Sequence, residues 1–475
     1  MSNRWITLIA AFPLIAASAT QPAPPFTISP ETTSALGPVR PDGSVDYVAA
    51  VNQRFSQGVT PDNNGFVLWL GVMGIDDFPQ SVRQQVLTMC GAENLKAGSI
   101  WTNFDRNTPE DGRGLHLWNA SENPAYAEFL KSHEDLLADA TQAAARPRWW
   151  APSVSTNGAL FGVLLPQLRN MRDVSQALCN RALLRAQQGD LDGFLSDVIT
   201  AKRLGRRAAG FYLIGDLVAI RINDTADHAI GAAAGAGILS GDRCRKLAAA
   251  LDELQPSSQP WESVDVGERW GSLEFAQTIA TGNLQRLIQG DDNFTRQLKP
   301  FDSIDRDAVD WNTALRQING TYDQMVRIMK MPPGRDAQLA RREFDREMAT
   351  RRANLAPLKA LTKWPADAPP AYTQRVTNAI VSVLMPSLWR IQDQFRSCAM
   401  EDQMARAVLA AAQYRADNGD WPDTLQTLTP KYLLAPPKDI FLGDGMNVVR
   451  YEKTQRGVCL RARGLDGTDI IVGAR

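Results

Sequence analysis

The chain is short of the residues that most catalytic signatures need. It has 3 His in 475 residues, no H-E-x-x-H and no G-x-S-x-G, so neither a zincin nor an α/β-hydrolase site is offered. Its 5 Cys (Cys90, Cys179, Cys244, Cys398 and Cys459) are odd in number and widely spaced. No C-x-x-C occurs, which removes the common zinc and thiol-redox motifs. Charge of one sign is also lacking: Lys plus Arg number 51 and Asp plus Glu 52, a formal net charge of -1. That balance argues against nucleic acid or anionic lipid as the main partner. Glycine-rich phosphate loops are missing as well. "GAAAGAG" (Gly231–Gly237) follows a helical pattern and does not join a strand to a helix, so a dinucleotide site is not indicated. No apolar run after the start is long enough to span a bilayer.

What is present begins with a targeting pattern. Arg4 precedes the apolar "WITLIAAFPLIA" (Trp5–Ala16), and Ala17-Ser18-Ala19 fits a small-residue cleavage site. The expectation is a signal peptide over 1–19 and export to the periplasm or cell envelope, with no membrane-spanning segment left after cleavage. Residues 20–42, rich in Pro, Ser and Thr, read as a flexible lead-in.

From 43 to 395 the apolar spacing is helical almost throughout. Leu164–Gln188 and Leu191–Gly205 read as two helices joined at Gly189-Asp190, a hairpin of tetratricopeptide type with no second copy at the ~34-residue period. Further helices are expected at Ile214–Ala234, Ser240–Leu254, Trp261–Ile288, Asp305–Met331, Ala337–Asn354 and Tyr372–Phe395. Proline- and aspartate-rich breaks near 290–304 and 355–371 are the candidate linkers. The fold class is therefore mainly α, an irregular helical array.

A separate module is expected from 396 to 475. Met400, Met404, Ala407, Val408, Ala411 and Tyr414 recur at helical spacing and need a cover. Asn418-Gly419 stops that helix. "NVVRYEK" (Asn447–Lys453), "GVCLRARG" (Gly457–Gly464) and "DIIVG" (Asp469–Gly473) read as three strands that the apolar stripe would cover.

Three constellations are candidates for chemistry. "WESVDVGERW" carries Glu262, Asp265 and Glu268 between Trp261 and Trp270. Carboxylates beside aromatic rings suit glycan binding and hydrolysis, whereas a solvated helix stripe is the plainer reading. "NDTADHAI" sets Asp224 and His228 one turn apart with Asp227 beside them, half a metal site or a surface ion pair. Trp149-Trp150 after "RPR" is either a binding patch or core. The densely charged Asp336–Leu355 reads as a solvated face.

"YRADNGDWPDTLQTLTPKYL" followed by "PPKDIF" resembles the globular part of the major pseudopilin of type II secretion systems. The resemblance covers about 75 residues and implies a small α+β module. The family's N-terminal assembly helix is missing, so polymerisation is not implied, and Ile440 stands where the family usually has Pro. The resemblance places a calcium site in the last loop, at Asp466 and Asp469; a plain Gly turn is the alternative. Cys398 and Cys459 flank this module's helix and a strand, either bridged or as two thiols. "RPDGSVDYVAAVNQRFSQGVTPDNNGFVLWLGVMG" (Arg40–Gly74) and "LLRAQQGDLDGFLSDVITAKRLGRRA" are similar to exported planctomycete-type helical proteins that carry the same C-terminal module. An exported, non-enzymatic scaffold with protein partners is the function expected. The alternatives are an envelope glycan hydrolase and an accessory of a secretion apparatus.

Overall fold

A computed structural model describes residues 23–95, 100–102, 115–287, 298–353, 369–385, 388–439, 449–464 and 467–474. The expected signal segment lies outside them. The chain is mainly helical and ends in a small antiparallel sheet. Among the described residues no strand precedes Arg450, and only isolated bridges such as Val39 with Val45 occur earlier.

Helices α1 (Tyr47–Phe55), α2 (Gly65–Met73), α3 (Gln80–Cys90), α4 (Pro124–Ser132) and α5 (Glu134–Ala145) lead into a long hairpin of α6 (Pro166–Gln187) and α7 (Leu191–Ala208). Gly189 turns it at φ 85°, a conformation that costs glycine nothing. Asp190 then caps α7 by accepting from the Gly193 N–H at 2.9 Å. Between the two helices, Arg181 and Arg185 both bind the buried Asp197, at 2.7 and 3.0 Å. Helix α8 (Leu213–Gly235) packs across the hairpin, and α9 (Gly241–Asp252) follows it.

The C-terminal part joins this same core. Helix α15 (Trp389–Asn418) is a single 30-residue helix running straight through the expected boundary at 395. The helix expected over Tyr372–Phe395 is in fact two: α14 (Pro369–Leu384) ends, and α15 begins at Trp389. Met400, Met404, Ala407, Val408 and Ala411 are buried as the stripe requires. Strands β1 (Arg450–Thr454), β2 (Gly457–Arg463) and β3 (Asp469–Gly473) form an antiparallel sheet in the order β1-β2-β3, with Tyr451 opposite Leu460 and Leu460 opposite Val472. The sheet is covered by α8 as well as α15. A Cβ on Gly235 would sit 2.5 Å from both the Ala474 nitrogen and the Val458 carbonyl oxygen, and one on Gly231 would sit 2.5 Å from Val472. The "GAAAG" run is thus the surface that lets a sheet lie directly on a helix.

A second core gathers α10 (Pro260–Ser263), a π-helical turn (Val264–Glu268), α11 (Arg269–Ala280), α12 (Trp311–Met329), α13 (Arg335–Ala353) and α14. It also takes in the start of the described chain, which corrects the expected flexible lead-in. Phe26, Thr32, Thr33 and Ala35 are buried. Tyr47 donates to the Thr33 carbonyl at 2.8 Å and accepts from Gln277 at 2.6 Å, while Asn319 donates to the Pro30 carbonyl at 2.9 Å. Residues 298–304 are no linker either, since Leu298, Phe301 and Ile304 are buried. The other candidate break, 355–371, lies outside the described residues up to 368.

Candidate functional site

The three carboxylates singled out between Trp261 and Trp270 do not converge. Exposed Glu262 accepts from the Gln259 N–H at 3.1 Å and closes a capping box at the start of α10. Asp265 pairs with Arg269 at 2.5 Å, and Arg269 reaches on to Asp323 at 2.7 Å. Only Glu268 is set apart: burial alone pushes it up to about 7. The flanking tryptophans face different neighbours. Trp261 lies under the Lys330 ammonium at 3.9 Å, and Trp270 packs 5.6 Å from Tyr47.

Sequence spacing had no means of showing what stands opposite Glu268. Asp216, in the first turn of α8, is likewise held near 7. Burial is the main cause; Ser263 and the Gly210 N–H work against it, and the carboxylates of Glu262 and Glu268 add to it. Two carboxyls from separate helical elements are thus both raised by burial, Glu268 adding to the rise at Asp216, beside a π-helical turn, a feature often found at functional sites.

The histidines serve three separate local purposes. His116 is exposed beside Glu122. His133 packs at a tilt against Phe129 with ring centroids 4.1 Å apart. His228 is buried and binds Glu401 of α15 at 3.1 Å. The expected surface pair of Asp224 and His228 is corrected: the partner of His228 lies 173 positions away.

His228 belongs to a buried ionic cluster where α7, α8 and α15 meet. Lys202 of α7 is 2.5 Å from Asp227 of α8 and 2.9 Å from Asp402 of α15. Asp402 also accepts from Arg406 at 2.8 Å. Burial works against the Lys202 cation, but Asp227 and Asp402 outweigh it and hold its pKa above the ordinary value. Burial likewise opposes the Asp402 carboxylate, yet Lys202 and Arg406 hold it well below the usual range. With one ammonium shared between two carboxylates, burial pushes Asp227 up to about 7. Asp224, one turn before His228, is raised well above its usual value by burial and by Glu401. The cluster forms one side of a cavity of about 280 Å³ that Asp216, Asn223, Ser257 and Cys398 also line.

Among the described residues no group of three His, Cys, Asp or Glu is placed to hold a metal ion. Asp469 pairs with Arg461 at 2.8 Å; Asp466 lies outside the described residues. Cys398 and Cys459 are not bridged in this structure. All five cysteines are buried thiols, Cys398 facing the Ile220 carbonyl of α8 and Cys459 facing Glu452 across the sheet. No described helix is long and apolar enough to cross a membrane. No protein-family model, curated protein or solved structure matches the chain.

Proposed function

We propose that the chain is an exported, non-enzymatic helical scaffold or protein-interaction protein of the cell envelope, ending in a pseudopilin-like unit reused without its assembly helix. One observation carries the reading: α15 and its sheet are locked to the helical body by a buried ionic cluster and a glycine face. A polymerising subunit needs its long helix free, whereas a scaffold gains from fixing it. The α6–α7 helical hairpin supports the same reading, as does the use of Glu262 and Asp265 within the fold.

The test is cross-linking of the full-length chain in envelope extracts, followed by reconstitution with the purified partner. A saturable one-to-one complex supports the reading. Pseudopilins among the partners would assign the chain to a secretion apparatus. Because the sheet shares its core with α8, the whole chain is the reagent, not the isolated segment from 396.

A second reading rests on Asp216 and Glu268, two carboxyls poised near neutrality on different elements. It makes the chain a glycan hydrolase with Glu268 as the proton donor. Release of reducing ends from cell-wall glycan, abolished by both Glu268→Gln and Asp216→Asn, would establish it and displace the scaffold reading.

A further inference from the structure

A second cavity, of about 150 Å³, lies where α1, α6 and the end of α7 meet, and it shares with the first only Ala209. Its walls include Phe55, Trp149, Trp150, Phe211 and Tyr212. These walls are held in place. The Trp150 N–H donates to Asn64 at 2.9 Å and its carbonyl accepts from the same side chain at 2.9 Å. Tyr212 donates to Ser153 at 3.1 Å, and Phe55 packs 5.4 Å from Phe211. Trp149 also turns toward the core, 5.9 Å from Trp69, so the two adjacent tryptophans divide the roles of core and wall.

Two polar side chains enter this aromatic setting without full satisfaction. Arg207 is half-buried and donates to the Arg146 carbonyl at 2.5 Å, and no described carboxylate pairs with it. Burial and the nearby Arg203 both work against its charge. A desolvated cation without a counter-ion is costly, and an anion arriving there recovers that cost. Gln167 is 6% exposed and its Oε1 has no hydrogen-bond partner. It sits in the first turn of α6, a 22-residue helix that opens on Pro166 with no side-chain cap, so unpaired N–H groups and the positive end of the helix dipole lie beside it.

We propose that this cavity binds a small carboxylate bearing a single aromatic ring, its carboxylate on Arg207 and its ring among Phe55, Trp150 and Tyr212, with Gln167 Oε1 left to accept from a ligand N–H. The uncompensated cation selects an anion. The planar guanidinium fork suits a carboxylate. The walls select a flat apolar body. The volume falls below the roughly 300–1,000 Å³ of sites for drug-sized ligands and leaves room for about one ring. A sugar is a poor fit, since its many hydroxyls would meet mostly carbon.

The test is calorimetric titration of the full chain with phenylacetate, 2-phenylethanol and acetate. Phenylacetate is expected to bind at least about tenfold more tightly than the neutral alcohol or the ringless acid. Arg207→Met should weaken it by about tenfold or more, while Gln167→Leu should not weaken phenylacetate, which has no donor, and should weaken N-acetylphenylalanine, whose N–H can reach the Gln167 Oε1. If Arg207→Met fails to fold, Arg207→Lys, which keeps the charge and loses the fork, should still weaken it measurably. N-Acetylphenylalanine tells a free acid from a peptide terminus: tighter binding than phenylacetate assigns the carboxylate to a chain end, weaker binding to a free acid. No binding of phenylacetate up to ~10 mM, equal binding of 2-phenylethanol, or unchanged affinity in folded Arg207 variants would overturn the proposal.

Discussion

Lys202 and Asp227 meet at 2.5 Å with both side chains 1% exposed, and Asp402 of α15 closes on the same ammonium at 2.9 Å. Three helices separated by up to 200 positions are thereby joined at one nitrogen. Lys202→Met leaves Asp227 facing a low-dielectric interior without its partner, while Asp402 keeps Arg406, and should cost about 3–5 kcal/mol. The double variant Lys202→Met/Asp227→Asn should recover part of that loss. Urea unfolding of the four proteins measures the coupling, and purely additive losses would show that the contact is not a functional pair.

Gly235 offers a test of opposite sign to helix propensity. In a free helix, Gly→Ala stabilises by about 1 kcal/mol. Here the added methyl would lie 2.5 Å from backbone atoms of β2 and of Ala474. Gly235→Ala should therefore destabilise the protein by about 1–3 kcal/mol. It should also speed amide exchange in β2 and β3. A stabilised variant would mean that the sheet does not lie on α8 in solution.

Glu268 links stability to pH. Its folded pKa, about 7, is raised above the ordinary value of 4.5 by burial. The folded state thus keeps a proton that the unfolded chain has released. The stability this contributes is complete at pH values below the unfolded pKa and is lost as pH rises toward 7. In that window the group alone contributes a slope of about 1.4 kcal/mol per pH unit. Glu268→Gln should flatten the fall in unfolding free energy between pH 5 and about 7 by that amount. Asp216 behaves alike, so Asp216→Asn should remove a similar slope. Parallel pH profiles for wild type and Glu268→Gln would contradict the burial of this carboxyl.

The thiols should be silent until the fold opens. Burial pushes Cys90 and Cys244 up to about 12 and Cys398 well above its usual value, so little thiolate is available to react. A chromogenic disulfide reagent should label the native protein slowly and the urea-unfolded protein at all five cysteines, and the unlabelled protein should have the same mass before and after reduction. A Cys398–Cys459 cross-linked peptide in a non-reducing digest would refute this.

Local signals were enough for much of the helical array. The Gly189-Asp190 turn located the hairpin, drawn as Leu164–Gln188 and Leu191–Gly205 and found as Pro166–Gln187 and Leu191–Ala208, and β3 over Asp469–Gly473 coincides with its apolar run. The break between α14 and α15 was also within reach, since Pro386 stands inside the helix drawn over Tyr372–Phe395. The prolines and threonines of residues 23–42 pointed the wrong way, because composition does not show which carbonyls Asn319 or Tyr47 will bind.

What the amino-acid order determined by itself was therefore periodic: helices where apolar residues recur each turn, strands where β-branched residues run together, stops where glycine or proline stands. Only the tertiary structure decided that the last strands share a core with α8, that His228 answers to Glu401 and Lys202 to Asp402, and that no described carboxylate pairs with Arg207. The physical reason is range. Capping and amphipathicity act over a few residues of chain, whereas desolvation and charge pairing depend on distance in space, and chain folding alone brings residues 202, 227 and 402 within 3 Å of one nitrogen.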